Sequence, residues 1–491
     1  MATVLSPARV IPFPASDTHR NISLAEILSA LSFALDLTEG AVPGHALRSC
    51  VFGMRIAEEL RLPAEQRADL YYALLLKDIG CSSNAARLCQ IIGGGDERQV
   101  KAGVKLEDWT RPGHPKASTL KLLWTNVFPE AGALRRAAAI VRIGLTQHRN
   151  NEEMITLRCD RGAHILRKLG LGDTAAEAVR GLDEHWDGSG YPEGRSGKAI
   201  PLASRILAVA QHLDVFATEQ GMARALQVLH ERAGRWFDPD LVRVVTRLHR
   251  SHGLWAHALP TTPEHETRAA ALDLAPDQVH SLEAADVDLI CEAFADVVDA
   301  KSSFTFRHSV GVTAAAGSIA RRLGLSPERQ QLVNRAALLH DLGKLRVPNS
   351  ILDKPSPLTA SEWLVVQEHP HLTQEILSRI ASFHELAQIA GAHHERLDGS
   401  GYPHRLTADQ LSLEARIIAV ADVYGALTED RPYRPGMTHE DALALLFRDA
   451  PHKMDPECCE ALIPGVCPER QQADAHDAGA SDTRNASALA L

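Results

Sequence analysis

The chain has 491 residues, of which 45% are apolar and 23% charged, so it is too long for one ordinary core and has the balance of a soluble protein of two or three domains. Its formal net charge of −10 excludes a nucleic acid polymer as partner, because polymer binding takes a broad basic surface. Its eight cysteines form no C-x-x-C pair, which excludes a zinc ribbon or dithiol redox motif, and no apolar run reaches the roughly 18 residues of a membrane-spanning helix.

In chain order, residues 1–21 lack the apolar core of a secretory signal and read as a flexible N-terminus of a reduced, cytoplasmic protein. Beyond them Ala and Leu are abundant, aromatics are 5%, and runs of Val, Ile and Thr are scarce. The predicted elements are therefore helices and the predicted fold is all-α. A repeat organises them. Asp-Gly-Ser-Gly-Tyr-Pro occurs at 187–192 and again at 398–403, and the same offset of 211 carries Leu202, Arg205, Ile206 and Val209 onto Leu413, Arg416, Ile417 and Val420. Upstream, an offset of 263 carries His45 onto His308 and Leu-Lys-Asp-Ile-Gly at 76–80 onto Leu-His-Asp-Leu-Gly at 339–343. The difference of 52 residues is an insertion in the first copy, expected mostly around 109–151. Copy one is thus placed at 22–250 and copy two at 280–465, with a linker at 251–279 that includes Pro260 and Pro263. The small, polar residues 466–491 read as a disordered tail.

Copy two carries the chemistry. His340 and Asp341 stand side by side near the end of a predicted helix, with Lys344 three residues on and on the same face. His308 lies on an earlier predicted helix, His369 in a His-Pro-His stretch, His393 and His394 just before Asp398 and the glycine turn, and Asp422 on a later helix. Taken singly, each is more often a surface or satisfied core residue. Together they offer mixed imidazole and carboxylate donors, a set that suits Fe, Mn, Zn or Ni better than Mg or Ca. Two metals held by such donors can activate a water and clamp both the attacking and the leaving oxygen of a phosphodiester, and a carboxylate such as Asp341 can bridge them where an imidazole cannot.

This pattern resembles the HD-GYP subgroup of HD-domain phosphohydrolases. The matching residues are His308, HDLGK at 340–344, HP at 369–370, HHERLDGSGYP at 393–403, AD at 421–422 and DRPYR at 430–434, which cover nearly all of copy two. The resemblance implies two tandem HD-type helical domains and hydrolysis of cyclic di-GMP to linear pGpG or GMP by a hydroxide bridging two divalent metals, Fe or Mn. It implies His308, His340, Asp341, His369, His393, His394 and Asp422 as metal ligands and Asp341 and Lys344 as catalytic residues. Lys344, Gly401, Tyr402, Pro403, Arg431 and Arg434 would meet substrate, and a planar guanidinium suits both phosphate and guanine. Two positions depart from the family pattern. Phe304 stands where three-metal members carry a Glu, and Gly425 where many members carry a second Asp.

Under the same offsets copy one keeps His45 and Asp78 but has Lys77, Arg158, Leu182, Asp183 and Gln211 for His340, His369, His393, His394 and Asp422. It is read as a degenerate half that holds no metal pair. A structural or dimerising role is expected first, an anion-binding regulatory pocket second. Two rival readings remain for copy two: a phosphohydrolase of another cyclic dinucleotide or nucleotide, and a cyclic di-GMP-binding signalling adaptor with little turnover. A homodimer and a signalling protein partner are both left open.

Overall fold

The computed structural model describes residues 23–108, 117–251, 253–276, 282–302, 308–430 and 435–466. Phe304, Arg431 and Arg434 lie outside the described residues, as do 1–22 and 467–491. Helices make the fold, and among the described residues the only β-type pairings are two isolated bridges, Ala233 with Phe237 and Asp398 with Thr407. The all-α expectation holds. No helix among the described residues is long and apolar enough to cross a membrane.

The repeat in the sequence is a repeat in space. Helix His45–Glu59 corresponds to His308–Arg322, Ala64–Leu75 to Pro327–Leu339, and Leu202–Gln220 to Leu413–Thr428. Local chemistry recurs with them. Each copy opens a late helix with Asp-Pro: the Asp238 carboxylate accepts from Asp240 N at 2.8 Å and the Asp455 carboxylate from Glu457 N at 3.0 Å, each before a proline in the first turn. These caps satisfy amides that the helix itself cannot, and proline there gives up no hydrogen bond. The same aspartates pair with Arg205 at 2.6 Å and Arg416 at 3.1 Å.

The two copies share one continuous apolar core, which runs from Leu28, Leu31 and Phe52 through Val209 to Phe294, Leu345 and Ile417. Their contacts are reciprocal. The first helix of copy one, Leu24–Glu39, packs on the 3-10 turn Leu342–Arg346 and on His369–Ser378 of copy two. The first helix of copy two, Ala284–Asp299, packs on the turn Cys81–Asn84 and on Ala133–Lys168 of copy one. Within the stretch read as a linker, the described residues 253–276 are packed: Leu254, Trp255 and Ala258 are buried, helix Glu264–Asp273 lies against His45–Glu59, and Trp255 stands edge-on to Phe52 at 5.3 Å. Helix Glu97–Lys105 falls, by the offset of 263, on Ala360–Gln367; the extra residues of copy one then form helix Ala117–Asn126 and the start of Ala133–Lys168, next to a small core of Leu88, Ile92, Val100 and Val127.

Candidate metal centre

The seven donors of copy two sit at helix ends or in the turns between helices, apart from Asp422 in mid-helix. His308 is the first residue of His308–Arg322 and His369 the first of His369–Ser378. Pro327–Leu339 stops one residue before His340, and His384–Gly391 two residues before His393. Asp422 projects from Leu413–Thr428. The ends turn these side chains into one buried space: all seven are buried except His394, which is partly exposed.

Two groups of donors result, with Asp341 between them. On one side His308 Nε2 lies 3.3 Å and His340 Nε2 3.7 Å from Asp422 Oδ1. On the other, His369, His393 and His394 bring a nitrogen each within 4.8 Å of one another. Asp341 turns Oδ2 to the first group, 3.3 Å from His340 Nε2, and Oδ1 to the second, 3.3 Å from His369 Nε2. One carboxylate with a separate oxygen for each cluster is the arrangement of a bridging ligand.

The imidazoles are pre-aimed. Nδ1 of His340 donates to Ala337 O at 2.7 Å, Nδ1 of His369 to Val366 O at 2.6 Å, and Nδ1 of His393 to Ala390 O at 2.6 Å. A carbonyl can only accept, so in each neutral ring the proton sits on Nδ1 and the Nε2 lone pair faces the site. This is how metal-binding histidines are oriented. Nε2 of His369 and Nε2 of His393 then face each other at 3.1 Å, two lone pairs that need a cation between or beside them. His340 Nε2 and Asp341 Oδ1 are buried and hydrogen-bonded to nothing, a costly state in a dry site. The donor set therefore fits metal ions.

Electrostatics separates the two groups. Burial disfavours charge on His340, but Asp341 and Asp422 outweigh it and push the ring up to about 10. Burial lowers His393 well below the ordinary histidine range, helped by the neighbouring rings of His394 and His340. Burial likewise brings His394 down to about 3. Asp341 is held well below the usual carboxylate range, against its burial, by His340 and Lys344.

Of the residues expected at the substrate, Lys344 donates from Nζ to Asp341 Oδ2 at 2.5 Å and is partly exposed at the rim. The Tyr402 ring packs against the His394 ring at 4.9 Å, and Trp363 stands edge-on to Tyr402 at 6.3 Å. Gly401 and Pro403 shape the turn that brings Tyr402 there. A Cβ on Gly401 would come within 2.5 Å of Arg396 N, and Gly399 has φ +74°, so the first glycine meets a left-handed backbone and the second a close approach. Copy one has the same needs: Gly188 has φ +82°, and a Cβ on Gly190 would meet His185 N at 2.3 Å.

Sequence reasoning missed Glu429. Its Oε2 accepts from His308 Nδ1 at 2.8 Å, which points Nε2 of that ring at Asp422. In copy one Asp214, the counterpart of Gly425, does this job: Oδ2 accepts from His45 Nδ1 at 2.6 Å. Copy two has lost the second aspartate and reaches the same nitrogen from one helical turn later. The signal was present as Gly425 followed by a Glu four residues on.

In copy one the corresponding space is filled with cations from the chain. Lys77 pairs with Asp78, and Arg158 with Asp183. Lys101 Nζ lies 3.0 Å and Lys105 Nζ 2.7 Å from the Glu39 carboxylate. Glu39, Asp78 and Cys81 are close enough to hold a metal, yet the two carboxylates already face these ammonium groups. Lys77 and Arg158, where an anion site was the second expectation, are both engaged with carboxylates.

The family model described as HD domain matches residues 133–241 and 292–458. Over 452 residues, 91% of this chain and 95% of the relative, the sequence is 41% identical to the 3′3′-cGAMP-specific phosphodiesterase 3 of Vibrio cholerae. A solved structure described as a cyclic GMP-AMP specific phosphodiesterase of V. cholerae superposes with a TM-score of 0.61 at 38% identity, covering 90% of this chain and 97% of that one. The cyclic di-GMP phosphodiesterase response regulator RpfG of Xanthomonas campestris is 46% identical over 152 residues, 30% of this chain and 40% of its own length. The chain belongs to the HD-GYP family of HD-domain metal-dependent phosphodiesterases.

Proposed function

We propose that copy two hydrolyses a phosphodiester bond of a cyclic dinucleotide, with 3′3′-cyclic GMP-AMP ahead of the cyclic di-GMP expected from its motifs. The convergence of six donors about Asp341 carries the hydrolytic reading. The choice of substrate rests on likeness over 91% of the chain to a relative named for cyclic GMP-AMP. Cyclic di-GMP is the second reading, favoured by the motifs and by the 46% identity to RpfG over 152 residues.

His308, His340 and Asp422 would hold one metal, His369, His393 and His394 the other, and Asp341 both. Fe or Mn suits this mixed donor set. When bound, the metals would supply Lewis acidity and an activated water. The chain's own residues do the rest. Lys344 brings a cationic donor to the rim, where charge develops on the phosphate. Tyr402 and Trp363 offer apolar ring surface beside His394 on which a base can lie. Glu429 and the three carbonyl acceptors hold the imidazoles so that little reorganises as the reaction proceeds. Copy one, in this reading, holds no metal pair.

The test is turnover of both dinucleotides by the purified chain loaded with Fe, Mn or Ni, with metal content measured alongside. The expected result is a kcat/KM for 3′3′-cyclic GMP-AMP about tenfold or more above that for cyclic di-GMP, a gap of roughly 1.4 kcal/mol. The reverse order would install cyclic di-GMP as substrate. No turnover of either with any metal would end the hydrolytic reading.

A further inference from the structure

Copy one reaches into copy two at a fully buried node. Glu97, first residue of helix Glu97–Lys105, is 0% exposed, as is Asn349, and Lys301 is 1% exposed. The Glu97 carboxylate accepts from Asn349 N with both oxygens, at 3.0 and 3.1 Å, and lies 3.5 Å from Lys301 Nζ. Asn349 Nδ2 donates to Lys301 O at 2.6 Å and to Asp353 at 2.8 Å, and Ser302 Oγ donates to Asp353 at 2.5 Å. Beside the node, Arg98 donates to the carbonyl of Arg346, in the turn that carries Lys344.

The two strands of chain gathered here both lead to the metal centre. Lys301 and Ser302 stand a few residues before His308, and Asn349 five residues after Lys344. Burial draws Lys301 down to about 8, with Lys101 and Arg98 of the other copy adding to the fall and Glu97, also from the other copy, opposing it. With the two copies packed together, a residue at 97 without a carboxylate would leave Lys301 without that counter-charge and Asn349 N without its acceptor, both costly in a buried node.

We propose that Glu97, a residue of the degenerate half, is a positioning residue for catalysis in the other half: it clamps the segments that carry His308 and Lys344 in register across the site. This gives copy one a role that needs no ligand of its own. The inference rests on the proposed function for its catalytic consequence and on the geometry alone for the clamp.

The test uses the full chain with Glu97→Leu and Lys301→Met combined. Removing both charges together strands neither one, so the variant is expected to melt below the wild type only by the cost of the Asn349 amide left without its acceptor. Two readouts follow. Amide hydrogen exchange at 308–312 and 342–353 is expected to quicken. kcat is expected to fall about tenfold with KM little changed, as for a small displacement of catalytic groups. Unchanged exchange overturns the clamp. Quickened exchange with unchanged kcat overturns the positioning role and leaves Glu97 as packing only. A variant that melts far below the wild type is replaced by Glu97→Gln, judged by the same two readouts at a temperature where it is folded. A wild-type chain without turnover sinks the proposed function and the catalytic part of this inference, while the exchange result still decides the clamp.

Discussion

Copy one and copy two build the same helices and the same glycine turn, and they fill the space beneath it in opposite ways. Copy two places five imidazoles and two carboxylates there, with the Nε2 atoms of His369 and His393 facing each other at 3.1 Å and two buried polar atoms unsatisfied. Copy one places Lys77, Lys101, Lys105 and Arg158 against Glu39, Asp78 and Asp183, so its carboxylates are already compensated. The buried carboxylates of this fold need positive charge from somewhere. A metal can supply it, or the chain can. Once the chain does, the ligands are free to drift while the turn persists, because its glycines answer to backbone geometry.

The largest effect that could break this comparison lies at the paired aspartate and histidine positions. Asp341→Ala is expected to lower kcat by about a thousandfold, since it removes the one residue shared by both donor groups. His45→Gln, at the copy-one counterpart of His308, should leave kcat within about twofold. A comparable loss from His45→Gln would show that copy one takes part in the chemistry. Next in size is the internal cation. Lys77→Met should destabilise the chain by about 3 kcal/mol in urea unfolding, because it leaves buried Asp78 without its nearest partner. An unchanged midpoint would mean that the ion pair does not stand in for a metal. The smallest effect sharpens the comparison at the orienting carboxylate. Glu429→Ala should weaken metal binding, read by chelator competition, by about 10- to 100-fold. Adding Gly425→Asp to that variant restores the copy-one arrangement, and affinity should return; failure to recover would separate the two devices.

Much of the site was legible in the sequence because metal chemistry restricts residue type severely. His308, His340, Asp341, His369, His393, His394 and Asp422 are all brought together, and the loss at Lys77, Arg158 and Gln211 could be read by offset alone. Glu429 was harder: it acts through His308, and an orienting carboxylate can come from either of two positions a helical turn apart. Arg431 and Arg434 lie outside the described residues and keep only the standing that the motif lends them. Trp363 carried no pattern, since a lone tryptophan on a short helix reads as packing until Tyr402 is seen beside it.

The sequence by itself determined the all-α class, the duplication, the copy that keeps the donor residues and the family, because helix propensity, repeat offset and donor chemistry are all properties of residues in order. Only the tertiary structure decided how those residues share space. It divided the donors into two groups about Asp341, aimed the rings of His340, His369 and His393 through carbonyls three residues back, and brought four cations of copy one onto its carboxylates. It also tied Glu97 to Lys301 and Asn349 across the two copies, a contact between residues 204 and 252 positions apart. No local rule predicts such a pairing, since it exists only once both copies have folded onto one core.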